Sequence, residues 1–192
     1  MKKIIASILI IMMAVSSSFV FASDDTSSET LDKALSLVTR LGIMTGDTDG
    51  NMRLDDTITR AEFTKAAIMA SEYKSGVALN MPMSPYVDVP YTHWAAPYIK
   101  LASDNGLVNG YIDSTFKPES NILYEEALTV ALNFLGYTEE DYGSSWPYGP
   151  ISISEKIGLS DDMAASQGEP ILRSDAVILF YNLMNCTANG TN

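Results

Sequence analysis

The sequence predicts an all-α protein made of three diverged copies of one helix–turn–helix unit. Repetition and helical periodicity are the two observations behind this prediction. A segment with the order Ile-Thr-Arg-Ala-Glu begins at Ile58 and follows Gly42, and a related segment that begins at Ile122 follows Gly106 at the same separation. Both landmarks therefore recur with an offset of 64. The chain contains at least two copies of one unit.

A third copy follows more loosely. The separation between Trp94 and Leu107 equals the separation between Trp146 and Leu159. This copy closes with a segment that begins at Ile171, after a turn that is shorter than the one in the second copy. We therefore interpret the chain as three diverged repeats.

The second helix of each copy has apolar residues on one face. The shared positions are Phe63, Ala66, Ala67 and Ala70, then Ala127, Val130, Ala131 and Phe134, then Ala176, Leu179, Phe180 and Leu183. This spacing is typical of an amphipathic helix. A single helical hairpin cannot bury such a face, so the three second helices are expected to pack against one another. The first helices, at about 31–41, 93–105 and 150–157, should pack outside that core.

These elements divide the 192 residues into five parts. The predicted boundaries are 1–22 for a signal peptide, 23–74 for a first repeat that is incomplete at its N-terminus, 86–137 for the second repeat, 146–185 for a degenerate third repeat and 186–192 for a polar tail. The Gly, Pro and Ser content of 75–85 and 138–145 marks them as connecting loops.

The first residues have the pattern of an export signal. Lys2 and Lys3 precede an almost unbroken apolar run over 4–15, and Ala22 provides the small residue expected at a cleavage site. We expect a secreted chain that begins at Ser23, with an uncleaved N-terminal anchor as the alternative. No later segment reaches the roughly 18 apolar residues of a membrane-spanning helix, so no span is expected after cleavage.

Composition excludes several classes of protein. The net charge is −12, and removal of Lys2 and Lys3 takes it to −14. Such acidity argues against nucleic acid as a partner, because that binding depends on Lys and Arg against phosphates. Cys186 and His93 are the single residues of their types, which leaves no internal disulfide or Cys-based zinc site. We expect no metal, no cofactor and no catalytic residues, and we interpret the acidic pairs Glu125/Glu126 and Glu139/Glu140 as solvated helix faces.

The middle copy resembles the S-layer homology module almost position by position. The matching residues are Tyr86-Val87-Asp88-Val89, His93-Trp94-Ala95, Tyr98-Ile99, Gly106-Leu107-Val108-Asn109-Gly110-Tyr111-Ile112-Asp113, Phe116 and Pro118. The first copy contributes Ile58-Thr59-Arg60-Ala61-Glu62, which is similar to the closing signature of that family. Each copy also departs from the pattern, and Tyr124 occupies the position of the signature arginine in the second.

This resemblance implies a non-catalytic module that anchors exported proteins to the envelope of mostly Gram-positive bacteria. It implies a pseudo-threefold, three-pronged fold around a central three-helix bundle. It also implies that grooves between the prongs bind secondary cell-wall polysaccharide, a peptidoglycan-linked glycan that often ends in a sugar with a pyruvate ketal. The expected location is the cell wall or S-layer on the cell surface.

Arg60 and Arg173 are the first candidate ligand-binding residues. Thr59 and Glu62 are spaced as a capping box, which predicts that a helix begins at Arg60. Arg173 begins the equivalent helix of the third copy. A guanidinium together with free N–H groups of a helix N-terminus can hold one carboxylate. Pairing with a nearby carboxylate of the protein is the alternative for each arginine.

The other candidates come from the turns and first helices. Trp94 and Trp146 can stack on a sugar ring or pack between prongs. Asp88 can accept hydrogen bonds from sugar hydroxyls or cap the nearby helix. Gly110, which precedes Tyr111, is expected to adopt a positive φ or to allow close approach of a ligand, and Gly46 is its counterpart in the first copy.

Three functions compete at this point. The first is a glycan-binding module with a composite groove, in which Trp94, Asp88 and Gly110 act with Arg60 or Arg173 from a neighbouring copy. The second is a degenerate module that serves as a protein-interaction or S-layer assembly piece without glycan binding. The third, a small envelope hydrolase, is disfavoured because no catalytic constellation is present.

Overall fold

The structure is a computed structural model that describes residues 24–77 and 85–190. The predicted signal peptide at 1–22 therefore lies outside the described residues. Seven α-helices follow one another in the described part: α1 Asp24–Arg40, α2 Arg60–Ala70, α3 Ala96–Asp104, α4 Tyr124–Phe134, α5 Glu139–Tyr142, α6 Tyr148–Lys156 and α7 Arg173–Asn185. A 3₁₀ turn over Glu72–Gly76 follows α2. Isolated bridges, rather than strands, provide the β pairing in these residues. The all-α prediction is confirmed.

The three second helices form the centre of the fold. α2, α4 and α7 contact one another in all three pairings. The rings of Phe63 and Phe180, on α2 and α7, stack with centroids 5.2 Å apart. Both side chains are fully buried, as the shared apolar stripe predicts. A central three-helix bundle is therefore present.

Each first helix packs against the second helix of the preceding unit. α3 packs on α2 and α6 packs on α4, whereas α1 packs on α7 and so completes the cycle. Every outer pair of helices is thus built from two predicted repeats. This cyclic order of contacts agrees with a pseudo-threefold arrangement, although the symmetry itself stays a prediction.

A closed ring of backbone hydrogen bonds joins the segments before the central helices. Ile122 N donates to Ile58 O at 3.1 Å, and Ile171 N donates to Ile122 O at 3.1 Å. Ile58 N donates to Ile171 O at 3.3 Å and closes the ring. All three residues are buried as a whole, so their amides need such partners.

The start of α2 is the best-predicted boundary. Thr59 Oγ1 accepts from Glu62 N at 3.2 Å, and Glu62 Oε2 accepts from Thr59 N at 3.0 Å, which confirms the capping box. Arg60 is the first residue of the helix, as predicted.

Two boundaries differ from the predictions. α1 begins at Asp24 rather than near residue 31, and a Lys33–Glu29 ion pair spans one turn of this polar extension. The segment 138–145 is not entirely a loop, because α5 occupies Glu139–Tyr142. Asp141 Oδ2 accepts from Thr138 N at 2.7 Å, and this local cap allows a single helical turn. Among the described residues, none of the helices is long and apolar enough to cross a membrane.

Candidate functional site

Arg60 lies at a junction of two predicted repeats. It begins α2, yet its guanidinium points into the turn that precedes α4. Nε donates to Phe116 O at 2.8 Å, and Nη2 donates to Asn109 O at 3.1 Å. Nη1 lies 3.1 Å from Glu126 Oε1. Arg60 is only 6% exposed. Its two hydrogen bonds to backbone carbonyls hold the turn in position. The same guanidinium also lines a cleft.

Aromatic rings enclose the same guanidinium. Arg60 Cζ lies 4.8 Å from the centroid of the Tyr111 ring and 4.6 Å from that of the Phe116 ring. The Tyr111 hydroxyl donates to Glu126 Oε1 at 2.7 Å. Burial, followed by this hydrogen bond, raises the pKa of Tyr111 to about 12. Tyr111 is therefore a neutral donor over the physiological pH range.

Arg173 makes an equivalent set of contacts one unit away. Its Nε donates to Met52 O at 2.7 Å, and its Nη2 donates to Thr45 O at 3.2 Å. Nη1 lies 3.4 Å from Glu62 Oε1. For both arginines, pairing with a carboxylate of the protein is therefore observed.

The N–H groups at the start of α2 are already bonded within the protein. Arg60 N donates to Ser120 O at 2.8 Å, and Ala61 N donates to Pro118 O at 3.0 Å. Glu62 N is bound by the Thr59 hydroxyl. The prediction that free amides of this helix hold an anion is wrong, because the backbone of the next unit occupies them.

The first cleft, which we call the Arg60 cleft, combines side chains from all three predicted repeats. It has a volume of roughly 490 Å³. Arg60 comes from the first unit, Gly110 and Tyr111 from the second, and Trp146 from the third. Further lining residues are Thr64, Leu107, Val108, Asn109, Phe116, Ile122, Glu126, Thr129, Val130, Asn133, Glu139, Tyr142 and Gly143. Trp146 is 54% exposed, so much of its surface is open to a ligand.

The second cleft, which we call the Arg173 cleft, has roughly 430 Å³. It brings Gly46 and Arg173 together. The other lining residues are Gly42, Ile43, Met44, Thr45, Asp47, Arg53, Ile58, Glu62, Lys65, Ala66, Met69 and Tyr98.

Trp94 lies beside the Arg173 cleft and does not line the Arg60 cleft. It is 49% exposed, and Lys65 Nζ lies 6.0 Å from its ring centroid. His93 stacks on it with centroids 5.7 Å apart. Because His93 Nδ1 accepts from Ala95 N at 3.1 Å, its Nε2 donates to Glu119 Oε1 at 3.0 Å. His93 is thus a structural hydrogen-bonding residue.

Asp88 organises a turn and caps no helix. Its Oδ1 accepts from Phe116 N at 2.8 Å, and its Oδ2 accepts from Lys117 N at 2.7 Å. It is outside the lining of the Arg60 cleft. Asp88 therefore positions the Phe116 carbonyl that Arg60 binds, which neither of the two predicted roles anticipated.

Gly110 lines the Arg60 cleft but does not adopt a positive φ, so that prediction is wrong. A Cβ at this position would overlap the Tyr86 ring and stand 2.7 Å from Thr115 O. At Gly46 a Cβ would stand 2.6 Å from the Gly50 carbonyl oxygen. Close approach of the protein's own atoms therefore requires both glycines.

Two glutamates of α4 differ from the prediction of a solvated face. Glu125 is only 5% exposed, and its Oε2 accepts from Gly168 N at 2.8 Å. Glu126 pairs with Arg60 and Tyr111, as described above. The sequence did indicate a structural role for Glu126, because Glu126 lies 64 residues after Glu62 and is therefore its equivalent in the second copy. Glu139, by contrast, is exposed.

The third junction has a different chemistry. Tyr124 occupies the position of Arg60 and Arg173, and it is buried. Asp175 occupies the position of Glu62 and Glu126, and its Oδ1 accepts from Ala164 N at 2.7 Å while its Oδ2 accepts from Leu172 N at 2.9 Å. A tyrosine ring therefore replaces the guanidinium at this junction.

The protein is thus a helical-repeat module with clefts on its surface. Each of the two clefts contains an arginine that comes from a neighbouring unit. Residues 23–64 and 85–128 match the model of the S-layer homology domain. The chain is an S-layer homology domain protein. The matched segments correspond to the first and second predicted repeats, and the third repeat stays a prediction.

Several relatives have names that refer to the cell surface or to anchoring. The chain is 30% identical over 191 residues to the Surface layer protein of Brevibacillus choshinensis. This match covers 96% of this chain and 17% of that protein. It is 44% identical over 92 residues to Cell surface glycoprotein 1 of Acetivibrio thermocellus, over 47% of this chain and 4% of that protein. It is 29% identical over 97 residues to the Cellulosome-anchoring protein of the same organism, over 50% of this chain and 22% of that protein. The chain thus spans less than a quarter of each relative's length, and the domain and its relatives indicate a location at the cell surface.

Proposed function

We propose that this chain is a non-catalytic anchor that binds cell-wall polysaccharide in the Arg60 and Arg173 clefts. One observation carries the proposal: Arg60, Tyr111 and Trp146, from three different units, line one open cleft. The name of the cellulosome-anchoring relative supports the anchoring part of the proposal.

The Arg60 cleft has the groups that a sugar needs. A sugar ring has apolar C–H faces and a rim of hydroxyls, so a half-exposed indole such as Trp146 can cover one face. Asn109, Thr129 and Asn133 provide polar groups around that position. Arg60 uses three of its five N–H groups within the protein, which leaves two for sugar hydroxyls.

The Arg173 cleft has a similar design at the second junction. Arg173 likewise uses one N–H group of each guanidinium nitrogen, and half-exposed Trp94 lies beside the cleft next to Lys65. A terminal sugar that carries a carboxylate, such as a pyruvate ketal, would suit a guanidinium beside an indole. Two clefts on one chain would allow bivalent attachment to a repeating polymer, which raises the overall affinity.

The carboxylates of the Arg60 cleft favour binding over hydrolysis. A glycosidase needs one carboxyl group that is free to donate a proton and a second that acts as base or nucleophile. Glu126 is held by Arg60, Tyr111 and the backbone amide of Leu123. A glutamate with three such partners supports the architecture of the cleft rather than proton transfer.

A protein-interaction or S-layer assembly role is the second candidate. It is favoured by the ion pairs themselves, because Glu126 and Glu62 neutralise the two arginines without a ligand.

Sedimentation with cell-wall sacculi separates these candidates. We expect the purified protein to pellet with sacculi that retain their polysaccharide and to stay in the supernatant with sacculi stripped of it. Equal pelleting with both preparations, or with neither, would contradict the glycan-binding proposal. Pelleting that requires a second surface protein would favour the assembly role.

A further inference from the structure

The two clefts differ at one equivalent helical position. Lys65 on α2 and Thr129 on α4 occupy the same place in their units, since the offset of 64 separates them. Lys65 lines the Arg173 cleft, and Thr129 lines the Arg60 cleft. A strongly hydrated ammonium in one cleft is therefore replaced by a hydroxyl in the other.

Most other ions of the Arg173 cleft have partners. Arg173 pairs with Glu62, and Arg53 Nε donates to Asp56 Oδ2 at 2.6 Å. Asp47 Oδ1 accepts from the backbone amides of Asp49 and Asn51, both at 3.0 Å. Within residues 24–77 and 85–190, no carboxylate lies within ion-pair distance of Lys65. Lys65 is therefore the cation of this cleft that has no carboxylate partner among the described residues.

The position of Lys65 places that charge next to an aromatic platform. Its Nζ lies 6.0 Å from the centroid of the Trp94 ring, and the side chain is half-buried. A sugar that covers the exposed part of Trp94 would bring its substituents within reach of the ammonium. A carboxylate or phosphate at that point would gain an attraction that an uncharged sugar lacks.

The Arg60 cleft has the opposite character. Arg60 is neutralised by Glu126, and Glu139 adds an exposed carboxylate to the lining. Lys117 is the nearby cation, and its Nζ lies 4.0 Å from the Tyr111 ring centroid, outside the lining. Four aromatic side chains line this cleft. Among the described residues that line the Arg173 cleft, one is aromatic, namely Tyr98. The aromatic residues of the Arg60 cleft are Tyr111, Phe116, Tyr142 and Trp146.

We propose that Lys65 makes the Arg173 cleft selective for a sugar that carries a negative group, whereas the Arg60 cleft takes an uncharged sugar by aromatic stacking. This inference rests on the proposed glycan binding and assigns a different ligand class to each cleft. One chain would thereby recognise both the charged and the neutral units of an acidic polysaccharide.

The two tryptophans allow each cleft to be observed separately. The chain has two Trp residues: Trp146 lines the Arg60 cleft, and Trp94 lies beside the Arg173 cleft next to Lys65. Their indole N–H signals in ¹H–¹⁵N spectra can be assigned with Trp94→Phe and Trp146→Phe. The probes are methyl glucoside, methyl glucuronide and glucose 6-phosphate, which present no charge, a carboxylate and a phosphate.

We expect the charged probes to shift the Trp94 signal at concentrations at least about threefold lower than methyl glucoside does. A threefold difference is the expected effect of the attraction between two opposite unit charges roughly 6 Å apart in water. A comparison of glucuronide with phosphate then identifies the preferred anion. The Trp146 signal should show no preference for the charged probes. Lys65→Thr should remove the preference at Trp94, and the reciprocal Thr129→Lys should create one at Trp146.

Circular dichroism should be measured for each exchanged variant to check that it is folded. The same preference at both indoles, or an unchanged preference in Lys65→Thr, would overturn the inference. The inference would also be overturned if neither indole signal shifted with any probe while the protein still pelleted with polysaccharide-bearing sacculi. That result would leave the proposed function standing. Loss of pelleting with the native protein would instead overturn the proposed function.

Discussion

The guanidinium of Arg60 lies 3.1 Å from the carboxylate of Glu126, and both side chains are largely buried between two units of the fold. Arg60 is thus a structural residue as well as a candidate ligand-binding residue. Arg60→Ala should lower the free energy of unfolding by about 3–5 kcal/mol, because it leaves Glu126 buried without its ion-pair partner. Urea denaturation followed by circular dichroism measures this loss.

Arg53→Ala is the matched control for that variant. Arg53 is exposed, and its ion pair with Asp56 is local. We expect no measurable change in stability, since exposed ion pairs contribute little. Equal losses in Arg60→Ala and Arg53→Ala would show that the buried pair has no special role.

Asp88 should matter through the turn that it holds. Asp88→Ala removes the acceptor for the amides of Phe116 and Lys117, and the Phe116 carbonyl is in turn an acceptor for Arg60. We expect a loss of roughly 1–3 kcal/mol in the free energy of unfolding. Asp88→Asn keeps one acceptor oxygen and should lose less. A fully stable Asp88→Ala protein would contradict this role.

Gly110 should tolerate no side chain. Gly110→Ala places a methyl group against the Tyr86 ring and 2.7 Å from Thr115 O, so the turn that lines the Arg60 cleft must move. We expect a lower melting temperature and a shifted Trp146 indole signal. Gly76→Ala is the control, because a Cβ there would meet only Leu101 methyl groups at an ordinary 3.7 Å. Similar melting temperatures for both variants would refute the steric argument.

The Tyr111 hydroxyl should give a defined pH dependence at alkaline pH. Its pKa is raised to about 12 in the folded protein, from about 10 in the unfolded chain. The stabilisation from the neutral hydroxyl is therefore complete below pH 10 and is lost as the pH rises from 10 to 12. The stability difference between the native protein and Tyr111→Phe should decrease across that range. A difference that is constant from pH 9 to 12 would contradict the assignment.

The helices and their central packing could be predicted because their signals are local. The spacing of Phe63 and its equivalents predicts which helix faces are buried, and Thr59 with Glu62 predicts where α2 begins. The alignment of the repeats also predicts that Arg60 and Arg173 begin equivalent helices, and both are the first residues of their helices. Both arginines do bind two backbone carbonyls and one glutamate.

The composition of each cleft could not be predicted in the same way. The outer helices pack on the preceding unit, and this brings Trp146 rather than Trp94 to the Arg60 cleft. Which outer helix packs on which unit depends on how the three units close into a cycle. That packing leaves no local pattern in the amino-acid sequence. The free amides expected at the start of α2 were likewise lost to Ser120 and Pro118, which lie in the next unit.

The central claim is that the Arg60 cleft binds cell-wall glycan through Trp146. Titration of polysaccharide released from sacculi into the native protein, Trp146→Ala and Ile112→Ala, followed by calorimetry, tests it most directly. Ile112 is a fully exposed apolar residue outside the lining of the cleft, so its variant controls for a general loss of surface hydrophobicity. Loss of an aromatic platform should weaken binding about tenfold in Trp146→Ala and leave Ile112→Ala unchanged. Equal affinities for all three proteins would contradict the claim.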